Sequence, residues 1–143
     1  MTPMPISECR IRRRIHFHEV DSAGIVHFSW FYRYMEEAES ALWRAAGLRI
    51  APSKELAYPR VAAAFEFKRP LRFEDEADVV IQVAGIGTTS IRYRCVITLN
   101  DEIAALGSMT VVCAQGPPGA VRPVAVPGFI RAALAVSEAA ANP

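Results

Sequence analysis

Long apolar runs are missing from this 143-residue chain. None approaches the roughly 18 residues that a membrane-spanning helix needs, so no membrane partner is expected. Charge of one sign is missing as well. Sixteen basic residues face fifteen acidic ones, a formal net charge of +1, and nucleic acid or an anionic surface is not an expected partner. Cysteine is scarce: Cys9, Cys95 and Cys113 are odd in number, widely spaced and without a C-x-x-C pair. Neither a disulfide framework nor a cysteine metal site is expected, and reduced thiols point to the cytoplasm. The opening Met-Thr-Pro-Met-Pro-Ile-Ser-Glu has no basic region leading into an apolar one, so secretion is not expected either.

What remains is an ordinary globular composition, 52% apolar and 22% charged, expected to form a single domain over residues 1–143. Apolar residues alternate from Cys9 through Ile11, Ile15 and Phe17, with Arg10, Arg12, Arg14, His16 and His18 between them. That is the period of a strand with one wet face. Phe31, Tyr34, Met35, Ala38, Leu42 and Ala45 then recur at helical spacing. Ser29 is a candidate cap, and Gly47 a stop. Trp30, Ala41, Trp43 and Ala46 make this segment apolar on nearly every side, which predicts a helix buried in its fold. Residues 48–59 read as a loop with one helical turn around 53–56. Strands follow over Val61–Lys68, Ala77–Ile86, Ile91–Leu99 and Ile103–Ala114, with Asn100-Asp101 marking a hairpin. Gly116-Pro117-Pro118-Gly119 ends the sheet region, and Phe129–Ala139 reads as a closing helix. The pattern predicts an α+β domain of five strands, in meander-like succession after the helix. One helix cannot cover such a sheet, so a second subunit is expected on the remaining apolar surface.

The stretch richest in chemistry is Asp21-Ser-Ala-Gly-Ile-Val-His-Phe-Ser-Trp-Phe31. A carboxylate on a glycine-bearing turn that feeds a helix lies beside unpaired backbone N–H groups. The acid can attack or activate water while an N–H holds a developing oxyanion. A turn aspartate that only bonds its own backbone is the commoner case.

Asp21-x-x-Gly24-x-Val26, the aromatic Phe28, the helix Phe31–Ala38 and the closing Arg122–Pro127 stretch together resemble the acyl-CoA thioesterases of the 4-hydroxybenzoyl-CoA thioesterase family. The resemblance implies the hotdog fold, an antiparallel five-stranded sheet wrapped around a long central helix. Its subunits pair through their sheets, giving a homodimer or homotetramer. It implies hydrolysis of an acyl-CoA or acyl-carrier-protein thioester with no cofactor. Asp21 would act on the carbonyl carbon as nucleophile or general base, and the Phe28 backbone amide would polarise the carbonyl oxygen. A thiolate leaves readily, so one carboxylate with an oxyanion donor suffices without a Ser-His-Asp triad. One departure stands out: relatives specific for aromatic acyl-CoA carry a basic cluster before the penultimate strand, where this chain reads Gly87-Thr88-Thr89. Phosphate donors would have to come from elsewhere, among Arg60, Lys68, Arg69, Arg72 and Arg92.

His16 and His18 share a predicted strand face, but no third ligand stands at characteristic spacing, and no metal is expected. His27 raises an alternative, because hotdog hydratases resemble this chain and pair an Asp with a His five positions later. Here the offset is six, and one residue turns a helical side chain by about 100°, which predicts His27 off the site. A non-catalytic acyl-binding hotdog subunit is the other reading. Glu36 and Glu37 are candidates to support Asp21 or to pair on the surface, as Arg33 with Glu37.

Overall fold

The computed structural model describes residues 4–50 and 56–141. Strand β1 (Glu8–Arg14) leads through a 3₁₀ turn (Phe17–Glu19) to the long helix α1 (Ser29–Ala45). Strands β2 (Arg60–Phe67), β3 (Glu76–Ile86), β4 (Ser90–Leu99) and β5 (Glu102–Val112) follow. A two-residue ribbon, β6 (Ala114–Gln115) with β7 (Arg122–Pro123), precedes the short helices α2 (Gly128–Ala133) and α3 (Glu138–Ala141).

All pairings in the five-stranded sheet are antiparallel, in the order β1-β3-β4-β5-β2. The meander expectation holds for β3, β4 and β5. It fails for β2, which crosses over to pair with β5 at the far edge. Asn100 and Asp101 close the β4–β5 hairpin with φ of 51° and 65°, the left-handed pair that matches the strand twist. Alternation sets the inner face. Val79, Ile81, Val83, Ile91, Tyr93 and Cys95 are buried in one core with α1.

The helix is less uniformly buried than its composition predicts. Phe31, Tyr34, Met35, Ala38, Leu42 and Trp43 face the sheet, while Arg33, Glu37 and Arg44 are exposed. It ends where expected: Gly47 has φ +75°, its N–H reaches Arg44 O at 3.1 Å, and Leu48 N–H reaches Trp43 O at 2.8 Å. This is a glycine C-cap with crossed bonds. The closing helix is broken. Leu134 leaves α2 with extended backbone and bridges Ile6 in parallel, and α3 starts only at Glu138. The turn expected over 53–56 lies, Leu56 apart, outside the described residues.

The first strand is shorter than its alternation implies. It stops at Arg14, and Phe17 is 75% exposed within the 3₁₀ turn. The cause is Glu19, whose carboxylate accepts the His16 N–H at 2.8 Å and turns the chain. His16 and His18 therefore do not share a strand face.

Candidate active site

The Asp21 turn is an excursion between two clamped points. Val20 and Val26 form an antiparallel bridge, and the His27 N–H donates to Glu19 O at 2.9 Å. On the other side Ile25 bridges Arg72, and the Val26 N–H donates to Leu71 O at 2.8 Å. Within the turn, Asp21 N–H donates to Ile25 O at 2.8 Å and Gly24 N–H to Asp21 O at 2.9 Å. Gly24 has φ +80°, a backbone state that a side chain would strain. The turn thus needs its glycine.

The two carboxylate oxygens of Asp21 differ. Oδ1 accepts from the Ala23 N–H at 2.8 Å and the Ile25 N–H at 3.4 Å. Among the described residues Oδ2 has no donor. The turn bond that competed with the catalytic reading is therefore present, and it uses only one oxygen.

Seven residues on, Phe28 stands immediately ahead of α1 with helical φ and ψ of −53° and −31°. Its carbonyl accepts from the Phe31 N–H at 3.3 Å, whereas nothing among the described residues accepts from its own N–H. The first N–H groups of a helix have no intrahelical partner, and the helix dipole adds positive potential there. Ser29 is not the cap. Its Oγ lies 2.8 Å from His27 Nδ1, and its N–H donates to the same nitrogen at 3.3 Å. A backbone N–H can only donate, so Nδ1 is the acceptor in that bond.

Asp21 and Phe28 line one cleft of about 580 Å³, with His27, Lys68 and Arg69 and with apolar walls including Phe31 and Phe67. His27 is at the site, contrary to the helical-rotation expectation. It precedes the helix in non-helical chain, so the 100° step does not apply to it. Phe67 belongs to the edge strand β2 and is 48% exposed, which puts the cleft beside an unpaired sheet edge.

Sequence reasoning missed the group that braces this turn. Arg13 interrupts the alternation of β1 at an inward register, and that inward charge was the available signal. Its guanidinium donates to both oxygens of the fully buried Glu19, with Nη1–Oε1 at 3.0 Å, and its Nε reaches Glu37 at 2.9 Å. It also lies 5.0 Å from the centre of the Tyr34 ring, while the Tyr34 hydroxyl donates to Glu19 Oε1 at 2.9 Å. Burial pushes the Glu19 pKa up, but Arg13, the His16 amide and Tyr34 outweigh it and hold the carboxyl below its ordinary range. Glu37 is thus spent on Arg13, and Arg33 pairs instead with Glu36 at 3.2 Å. Glu19 also stands with His16 and His18, their ligand atoms within 4.8 Å of one another. It is a third neighbour that spacing did not reveal, with its carboxylate already engaged by three donors.

A second buried acid, Glu39 on α1, is paired with Arg60 at the start of β2. Burial raises its pKa despite Arg60 and Tyr93, and Tyr93 in turn accepts from Trp43 Nε1 at 2.7 Å. This chain of contacts ties the middle of the helix to the sheet, away from the cleft.

Sheet and helix together define the class of fold: a hotdog, an antiparallel five-stranded sheet packed on one long helix. The chain belongs to the thioesterase-like superfamily, whose family model matches residues 15–134. It is similar to a 1,4-dihydroxy-2-naphthoyl-CoA hydrolase of Synechococcus sp. (strain CC9311), 30% identical over 118 residues, 73% of this chain and 76% of that protein. A thioesterase from Thermus thermophilus, solved with coenzyme A and zinc, superposes with a TM-score of 0.72 at 28% identity, over 87% of this chain and 95% of that one. A variant of 4-hydroxybenzoyl-CoA thioesterase, solved with 4-hydroxybenzoyl-CoA, has the same fold, with a TM-score of 0.79 at 17% identity over 89% and 99% of the two chains.

Proposed function

We propose that this protein hydrolyses an acyl-CoA thioester to the free acid and CoA thiol, with Asp21 acting on the carbonyl carbon and the Phe28 N–H holding the carbonyl oxygen. The observation that carries the reading is that Asp21 and Phe28 line one cleft while, among the described residues, Asp21 Oδ2 lacks a donor and the Phe28 N–H lacks an acceptor. As a general base, Asp21 takes a proton from water while the water oxygen bonds to carbon. The C–S bond then breaks, and the thiolate leaves and is protonated. As a nucleophile, Asp21 displaces the thiolate to give an anhydride, which water then cleaves. In both routes negative charge grows on the carbonyl oxygen, where a preorganised donor contributes most. The anchored Oδ1 fixes the aim of Oδ2, so little orientation is lost on the way to the transition state.

Hydratase chemistry has less support, because the His27 nitrogen nearest the helix is spent on Ser29. The working unit is a dimer or a tetramer, with sites near the subunit boundary. The free edge of β2 and the exposed Val61 and Phe67 on it support this. Three free thiols fit a cytoplasmic protein.

The test is thiol release from a panel of acyl-CoAs by wild type and Asp21→Asn. The variant keeps size and the Oδ1 bonds but not the charge. Its kcat is expected to fall about 100-fold or more, the scale of losing an acid–base group, with its melting temperature unchanged. Near-normal turnover in Asp21→Asn would overturn the assignment.

A further inference from the structure

The Asp21 cleft carries more positive charge than hydrolysis needs. Its charged lining residues are Asp21, Lys68 and Arg69; the rest, apart from His27, is apolar. An apolar acyl group asks for no cation, and neither Lys68 nor Arg69 pairs with Asp21. Lys68 meets Glu66 at 3.4 Å and Arg69 meets Glu102 at 2.9 Å, with every one of these side chains about half or more exposed. Exposed pairs of this kind are worth only about 0–1 kcal/mol, so both cations are free to exchange onto a better anion. Their backbone is held, however. The N–H groups of Lys68 and Arg69 both donate to Ala104 O, at 2.8 and 3.1 Å, and Pro70 follows. Two exposed cationic heads thus stand on a hydrogen-bonded backbone among the lining of an apolar cleft.

The other basic residues raised as phosphate donors stand elsewhere. Arg60 is spent on the buried Glu39 and on Glu36. Arg92 alternates with the buried Tyr93 and faces away from the helix, across from Thr110. Arg72 does not line the cleft, although its backbone touches the turn. Resting on the hydrolase reading above, we propose that Lys68 and Arg69 bind a phosphate of the substrate's thiol arm, and that this site selects phosphorylated pantetheine carriers over pantetheine itself. The chemistry is a phosphate ester held by an ammonium and a guanidinium, the latter able to bond it in bidentate fashion. The same 4′-phosphate occurs in coenzyme A and in the prosthetic group of an acyl carrier protein.

The experiment compares one acyl group carried on pantetheine, on 4′-phosphopantetheine and on CoA. The proteins are wild type, the double variant Lys68→Ala/Arg69→Ala, and Arg44→Gln, an exposed charge on the far end of α1, as control. Calorimetric binding of CoA, which needs no turnover, is measured beside kcat and KM. In wild type, kcat/KM should be about tenfold or more higher with the phosphorylated carriers, mostly through KM, and the advantage should shrink as salt rises. The double variant should lose that advantage and bind CoA about tenfold more weakly. Its own kcat/KM on acyl-pantetheine is the reference against which that loss is read, and Arg44→Gln should match wild type. An advantage already complete with phosphopantetheine assigns the contact to the 4′-phosphate. An advantage confined to CoA assigns it to the nucleotide phosphates and excludes the carrier protein as source. Equal kcat/KM for pantetheine and CoA in wild type, or an advantage and CoA affinity that survive in the double variant, would overturn the phosphate site and leave the hydrolase reading intact. CoA binding that depends on Lys68 and Arg69 without hydrolysis of any thioester would do the reverse.

Discussion

Replacing Glu19 by glutamine should both destabilise the fold and slow the chemistry, and the structure sets the size of each effect. Glu19 has no exposed surface, and its carboxylate accepts from Arg13, from the His16 N–H and from the Tyr34 hydroxyl. The glutamine amide can still serve His16 and Tyr34 through its oxygen. Its NH₂ would then face the Arg13 guanidinium, donor against donor. Removing one partner of a buried ion pair costs about 3–5 kcal/mol. Arg13 retains Glu37 and some solvent contact, so the low end applies, about 3 kcal/mol. For a chain of this length that lowers the melting temperature by about 6–12 °C. The kinetic effect travels through one bond: Glu19 O accepts the His27 N–H, one residue before the Phe28 amide. If the clamp loosens and the amide shifts by about 1 Å, the loss in rate approaches 100-fold. The assay pairs thermal unfolding with kcat and KM, taken at a temperature where the variant is folded. A fall in kcat at near-constant KM marks positioning rather than unfolding. A melting point within about 2 °C of wild type, together with unchanged kcat, would refute the reasoning.

The same residue predicts a pH dependence. Its carboxyl is held below the ordinary range in the folded state. The stabilisation is therefore present above the unfolded value of about 4.3 and lost as pH falls through the folded value. The acid limb of melting temperature against pH should flatten in Glu19→Gln, and an unaltered limb would count against it. Gly24→Ala meets open space but forces a side chain onto φ +80°, at a cost of about 1–2 kcal/mol. Its kcat should fall with the loosened turn, as steady-state kinetics would register. Val61→Lys places a charge on the exposed edge of β2 and should shift the protein toward monomer in light scattering, with loss of activity. A wild-type monomer that is fully active at micromolar concentration would remove the case for a shared site.

Much of the site was written locally. An aspartate, a glycine three residues later and a helix start fix a turn whose amides hold one carboxylate oxygen, because those bonds span four residues at most. The helix and its glycine stop were equally local, as were the β4–β5 hairpin and its left-handed pair. Period-two alternation located β1, β2 and β4, a continuous apolar run located β3, and the Asn100-Asp101 hairpin placed β5. The alternation overran the end of β1, because a cap by Glu19 outweighed the pattern from His16 onward.

The sequence by itself determined the five strands of the main sheet, the long helix, the glycine-bearing Asp21 turn and, through its resemblance, the hotdog family, since each rests on neighbours within a few residues or on a motif. Only the tertiary structure decided that β2 closes the sheet beside β5, bringing Phe67, Lys68 and Arg69 into the cleft of Asp21. It alone showed Arg13, Glu19 and Tyr34 meeting beneath the turn from strand, 3₁₀ turn and helix. Pairing across a crossover and the burial of a charge depend on where distant segments meet. Periodicity records which face a residue takes, but not what waits on the other side of it.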